Sequence, residues 1–139
     1  MNATLAPAVA GLVVFALRRF VVAPFSIDVC GFCNGILAGL VPITAGCGAV
    51  QPWEACLIAV VGAFVYVGAS LNCDEKIKVD DVVDAFPVHG ACGAWGVLSL
   101  GFFGDPKLPF GGNGVFYGGE DAHSMINNTY RTTRSCFLE

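Results

Sequence analysis

The chain has 139 residues, 55% of them hydrophobic and only 13% charged. That is about half the charged share of a globular domain, too little to wet the surface of a soluble fold of this length. The formal net charge is −4 and no basic run exists, which excludes the electrostatic footprint of a nucleic-acid-binding protein. Such a length holds about four membrane spans with short loops, and the composition decides in favour of spans.

Four apolar segments follow in chain order. The first runs from about Ala3 to Leu17 and meets Arg18-Arg19; it is short for a span, and no basic region precedes it as a cleaved signal peptide requires. The second lies in the uncharged stretch between Asp28 and Glu54, roughly Val29 to Gly46. The third covers Ala55 to Leu71 and is closed by Asn72, Asp74 and Lys76. The fourth covers Ala85 to Phe103 and is closed by Gly104-Asp105-Pro106. Each approaches the ~20 residues that cross ~30 Å of hydrocarbon. Helix is the expected state, because isolated strands leave backbone groups unsatisfied in lipid. The expected fold is therefore all-α, a polytopic transmembrane helix bundle over residues 1–117. The polar stretch 118–139 is expected to be an exposed, poorly ordered tail.

Charge placement orients the bundle. Arg18, Arg19, Lys76 and Lys78 fall in the first and third connections, and the second connection has no Lys or Arg. The positive-inside rule makes the first and third connections cytoplasmic, so the chain starts outside and the Trp53 loop faces outward. Trp53, between Pro52 and Glu54, suits an interfacial aromatic anchor.

Gly31, Gly35 and Gly39 recur at four-residue steps on the second helix, and Gly93 and Gly96 repeat the theme on the fourth. Small residues let membrane helices approach closely; these five read as helix-packing positions and do not by themselves define a pore. The seven cysteines sit mostly in apolar stretches and read as small packing residues. Cys30-x-x-Cys33 lacks the further ligands a metal site needs, so neither metal nor cofactor is expected. Asn2-Ala3-Thr4 and Asn127-Asn128-Thr129 match glycosylation acceptors, but the first runs into an apolar helix.

The segment from Val79 to Gly96 carries the most chemistry. Asp80, Asp81 and Asp84 precede the fourth helix, where carboxylates can cap free N–H groups and complement the helix dipole. Pro87 suits a helix opening, and His89 is the one basic side chain of that span. At ~1.5 Å per residue His89 lies roughly 7 Å past Asp84 or roughly 12 Å past Asp81, within the hydrocarbon layer. A protonated ring is costly there, which favours neutral imidazole. By α-helical spacing His89, Gly93 and Gly96 share one face, leaving the imidazole open. The ring either bonds another helix or offers one hydrogen bond to a small polar molecule, such as a weak base without its proton.

The run from Asp80-Asp81 through Gly96, centred on Asp84-Ala85-Phe86-Pro87-Val88-His89-Gly90, resembles the tenth-helix motif of the ammonium transporter, methylammonium permease and Rhesus protein family. Gly35 through Cys47 resembles its eighth helix, Asn2 through Leu17 its seventh, and Gly112 through Gly119 the loop before its last helix. The resemblance implies about four spans, helices seven to ten, from the second inverted repeat of an eleven-helix transporter that forms homotrimers in the plasma membrane. It implies a narrow hydrophobic pore conducting ammonium or ammonia, with methylammonium a second candidate. His89 would be one of two pore histidines and Ala85 would border the lumen one turn earlier. Val82 departs from the proline often found there, and the quoted motifs end at Gly119. No counterpart of the first pore histidine, the recruitment site or the outer aromatic gate is found. A fragment inactive alone is therefore expected; the alternative is a non-transporting subunit that joins full-length transporters. An enzyme using His89 as a base is disfavoured, since no second catalytic group lies in the spans.

Overall fold

The computed structural model describes residues 1–22, 28–73, 81, 83–108 and 114–117. Among them the regular elements are helical. Helix α1 spans Asn2–Leu17 and continues as a π-helical segment over Arg18–Val22. Helix α2 spans Val29–Thr44 and α3 spans Pro52–Asn72. A π-helical turn, Phe86–Ala91, leads into α4, Cys92–Phe103, and a short 3-10 turn covers Val115–Tyr117. Asn2–Val21, Pro52–Asn72 and Phe86–Phe103 are each long and apolar enough to cross a membrane, while Val29–Thr44 is a shorter apolar helix. The expected tail over residues 118–139 lies outside the described residues.

Local chemistry starts each helix. The Asp28 side chain accepts from Gly31 N–H at 2.8 Å and caps α2. Pro52 opens α3, where its missing N–H is harmless. Glu54 Oε2 accepts from Gln51 N–H at 2.7 Å, which satisfies a donor at the same end. The first helix does not stop at Arg18-Arg19 as the charges suggest. The Arg18 guanidinium turns inward to Asp28 and Asp84, so its charge is compensated inside the bundle.

The helices run antiparallel in sequence. At one end Asn2 Nδ2 donates to Cys47 O and Val50 O, joining the start of α1 to the chain between α2 and α3. At the other end Arg18 meets Asp28, Ser70 and Asp84. Between the ends the core is built of small side chains: Ala6, Ala10 and Val14 of α1 face Ala38 of α2 and Ala55, Ala59 and Ala63 of α3. Leu12, Leu57, Phe64 and Leu98 point outward instead, the pattern expected of a bundle whose solvent is lipid rather than water.

Glycines set the helix separations. A methyl added at Gly35 would stand 2.6 Å from Val14 Cβ, and one at Gly39 2.6 Å from Ala10 Cβ. At Gly31 it would collide with Asp28 and Arg18. Gly96 lies against the Pro42 backbone, with 2.8 Å to its Cα, and Gly62, absent from the sequence reading, approaches the same proline from α3. Gly93 differs from expectation: its nearest neighbour would be Val41 Cγ1 at 3.9 Å, an ordinary contact. Three residues turn a helix by ~300°, which leaves Gly93 about 60° away from the contact that Gly96 makes.

Candidate functional site

The element that carries His89 begins at two aspartates with different tasks. Asp81 is the cap: its Oδ1 accepts from Ala85 N–H at 2.9 Å and its Oδ2 from Phe86 N–H at 2.8 Å. The Phe86 N–H first, then that of Ala85, hold the Asp81 carboxyl below the usual carboxylate range. Asp84 was expected to share the capping, but its side chain points back into the bundle. Its backbone sits at φ 56°, a left-handed conformation that costs about 1 kcal/mol in a non-glycine residue and that aspartate tolerates better than most. Asp80 lies outside the described residues.

The reversal at Asp84 places its carboxylate among groups from three other elements. Tyr66 Oη donates to Oδ2 at 2.7 Å and Ser70 Oγ to Oδ1 at 3.0 Å, both from α3. Asn34 Nδ2 of α2 donates at 3.3 Å, and Arg18 completes an ion pair at 3.5 Å. Arg18 also bonds Asp28 Oδ2 at 2.5 Å and stands 5.4 Å from the centroid of the Tyr66 ring. The Asp28 carboxyl is held below its ordinary value, chiefly by the Gly31 N–H and further by Arg18. The sequence reading treated Arg18 as a topology marker and passed over Asn34, Tyr66 and Ser70. The available signal was the four-residue step from Tyr66 to Ser70, which puts two hydroxyls on one face of an otherwise apolar helix.

The π turn then decides where His89 points. Asp84 O accepts from Val88 N–H at 3.0 Å, which starts the helix. At the far end Cys92 N–H bonds Pro87 O and His89 O, bypassing the i−4 carbonyl of an α-helix. The extra residue in the turn breaks the register that aligned His89 with Gly93 and Gly96. Gly96 is buried against Pro42, whereas His89 and Ala85 are exposed on the flank of the bundle. Val88 and Cys92 take the core side, at 2% and 0% exposure. Among the described residues no hydrogen-bond partner meets the His89 ring. π turns inside helices occur frequently at functional sites.

A second polar cluster closes the opposite end. Glu54 is fully buried and accepts from Tyr117 Oη at 2.5 Å as well as from Gln51 N–H. Gln51 Nε2 in turn donates to Asp105 Oδ2 at 2.7 Å. Gln51 first, then the Lys107 N–H, hold the Asp105 carboxyl below its usual range. The hydrogen bond to Glu54 pushes the Tyr117 phenol up to about 12. The tie between Tyr117 and Glu54 went unread, since nothing local connects them; the nearer signal was Glu54 three residues after Gln51. Trp53, the expected anchor, is 58% exposed. Cys30 and Cys33 are exposed free thiols, and among the described residues no group of three metal-ligating side chains converges. Asn2 is buried with its amide bonded, and Asn127 lies outside the described residues.

Comparison with known proteins adds three findings. The sequence profile of the Ammonium Transporter Family matches residues 1–134, past Gly119, where the quoted motifs stop. Among curated relatives, "Ammonium transporter 1 member 3" of Solanum lycopersicum is 41% identical over 103 residues, covering 74% of this chain and 22% of its own length. "Ammonium transporter 1 member 4" of Arabidopsis thaliana is 40% identical over 95 residues, 60% of this chain and 19% of its own length. The chain thus spans about a fifth of the length of the curated relatives it matches. Crystal structures of Mep2 share the fold. The delta442 mutant from Candida albicans has a TM-score of 0.77 at 23% identity, covering 98% of this chain and 35% of the Mep2 chain. Saccharomyces cerevisiae Mep2 has a TM-score of 0.76 at 24% identity, covering 99% and 32%.

Proposed function

This chain belongs to the ammonium transporter family, and on that premise we propose that it forms part of a pore conducting ammonium or ammonia, with His89 and Ala85 at the lumen. It is an integral, multi-pass membrane protein. The observation that carries the pore reading is the position of His89: exposed beside Ala85, unbonded among the described residues, on a span that turns Val88 and Cys92 into the core instead. An imidazole there offers one hydrogen bond to a small base. A permanent charge in the same place is expensive, so the passage favours the deprotonated species. Because His89 lies on the flank of these four helices, a closed lumen needs further helices facing it. On this reading the chain conducts only as part of a larger assembly. Trimeric assembly, acceptance of methylammonium and a plasma-membrane location are carried over from the family resemblance alone.

The test is a chimera in which residues 1–117 replace the corresponding segment of Saccharomyces cerevisiae Mep2, reconstituted in liposomes. Labelled methylammonium uptake is expected, and His89→Ala is expected to change its rate or its competition by ammonium at least tenfold. Uptake unaltered by His89→Ala removes the histidine from the pore.

A further inference from the structure

We propose that the Asp84 carboxylate, clamped by Tyr66, Ser70, Asn34 and Arg18, is the positioning group that sets the direction of the His89 imidazole. The inference rests on the pore reading for its consequence, but not for its geometry. Asp84 belongs to two systems at once. Its backbone carbonyl accepts from Val88 N–H, a residue within the π-helical turn. Its side chain is bonded to α2, to α3 and to the end of the first helix. Rotating the turn about its axis therefore means breaking the clamp.

The left-handed backbone at Asp84 points the same way. No helix requires φ 56° at this position; the Asp81 cap would serve an ordinary helix start equally well. The reversal carries the carboxylate to the two hydroxyls of α3, and its backbone conformation is held by those bonds. The consequence reaches five residues on. With the clamp in place and the Cys92 N–H bonded to Pro87 O, His89 faces away from the packed side while Val88 and Cys92 enter it. If the turn relaxed to α register, His89 would align with Gly96, seven residues later, and be carried towards the Pro42 contact.

The measurement reads the imidazole directly. The chain in lipid vesicles is treated with diethylpyrocarbonate, and acylation of His89 is followed by peptide mass spectrometry, with His123, the other histidine of the sequence, as internal reference. The combined variant Tyr66→Phe, Ser70→Ala removes both hydroxyl donors without changing charge or the Asp84 backbone. Acylation of His89 is expected to slow by up to about 25-fold relative to His123, roughly a fivefold equilibrium factor for each of the two hydrogen bonds lost. Tyr66→Phe with Ser70→Thr, which keeps a hydroxyl at 70, is expected to restore at least half of that difference. An unchanged His89 rate, or equal slowing at both histidines, overturns the proposal. Failure of the pore reading is seen separately: uptake by the Mep2 chimera would ignore His89→Ala while the acylation result still stood.

Discussion

Gly39→Ala is the sharpest test of how this bundle is held together. The added methyl would stand 2.6 Å from Ala10 Cβ, 2.7 Å from Ala6 O and 3.0 Å from Ala6 C. Carbon atoms pack best at ~3.5–4.0 Å, so α1 and α2 must part by about 1 Å. Backbone atoms cannot rotate out of the way as a flexible side-chain end could. A gap of that size forfeits roughly a quarter to a half of the attraction of every pair across the crossing, including those around Val14 and Gly35. Overpacking of this kind costs about 1–3 kcal/mol; we expect about 2 kcal/mol, a shift of roughly thirtyfold in the unfolding equilibrium. The assay is reversible unfolding in mixed micelles, followed by helical circular dichroism. Gly68→Ala, with nothing within 4 Å, and Gly93→Ala, at 3.9 Å from Val41, are the matched controls and should change stability by less than about 0.5 kcal/mol. Ala10→Gly in the Gly39→Ala background should recover part of the loss, but not all, because Ala6 O remains in the way. If all three alanine variants unfold alike, close backbone approach is not what separates tight sites from open ones.

Two further outcomes concern titration. Asp28→Asn should remove an acid-dependent component of stability: the Asp28 carboxyl is lowered in the fold, so its contribution is full above the unfolded value of about 3.9 and is lost as pH falls through the lower folded value. Unfolding followed from pH ~5 downward checks this, and an identical acid slope in both proteins refutes it. Tyr117 has the opposite sign, because its phenol is raised to about 12. Its stabilising effect is complete below the unfolded value of about 10 and disappears as pH climbs towards 12. Tyr117→Phe should flatten that alkaline loss, measured by denaturant unfolding between pH ~9 and ~12.

Much of the bundle was legible because lipid imposes simple rules. Long apolar runs between charges gave the helices, and four-residue glycine steps marked a face of α2 where a neighbour could approach, without saying which helix it would be. What escaped depends on register and on distance along the chain. His89 and Gly96 are seven residues apart and align on any α-helix, but Cys92 N–H reaches Pro87 O, and one extra residue in the turn sends the two side chains to different surroundings. No composition signal announces that bond. Asp81 and Asp84 looked equivalent as acids ahead of a helix, and a backbone reversal at one of them separates a cap from a clamp. Arg18 and Ser70 are 52 residues apart, and Glu54 and Tyr117 are 63 apart. Such pairs become visible only once antiparallel helices bring their ends together.

The amide of Asn2 bears on how the protein fits its bilayer. Helix α2 has 16 residues, about 24 Å at ~1.5 Å per residue and some 6 Å short of a typical hydrocarbon layer. The chain beyond Thr44 leaves helical pairing, so the carbonyls of Cys47 and Val50 need a donor from water or from another element. Asn2 takes the place of that water, donating to both at 3.0 and 2.8 Å. A donor at the opening of α1 thus holds the chain that leaves a short apolar helix, and the ends of the two helices stay together.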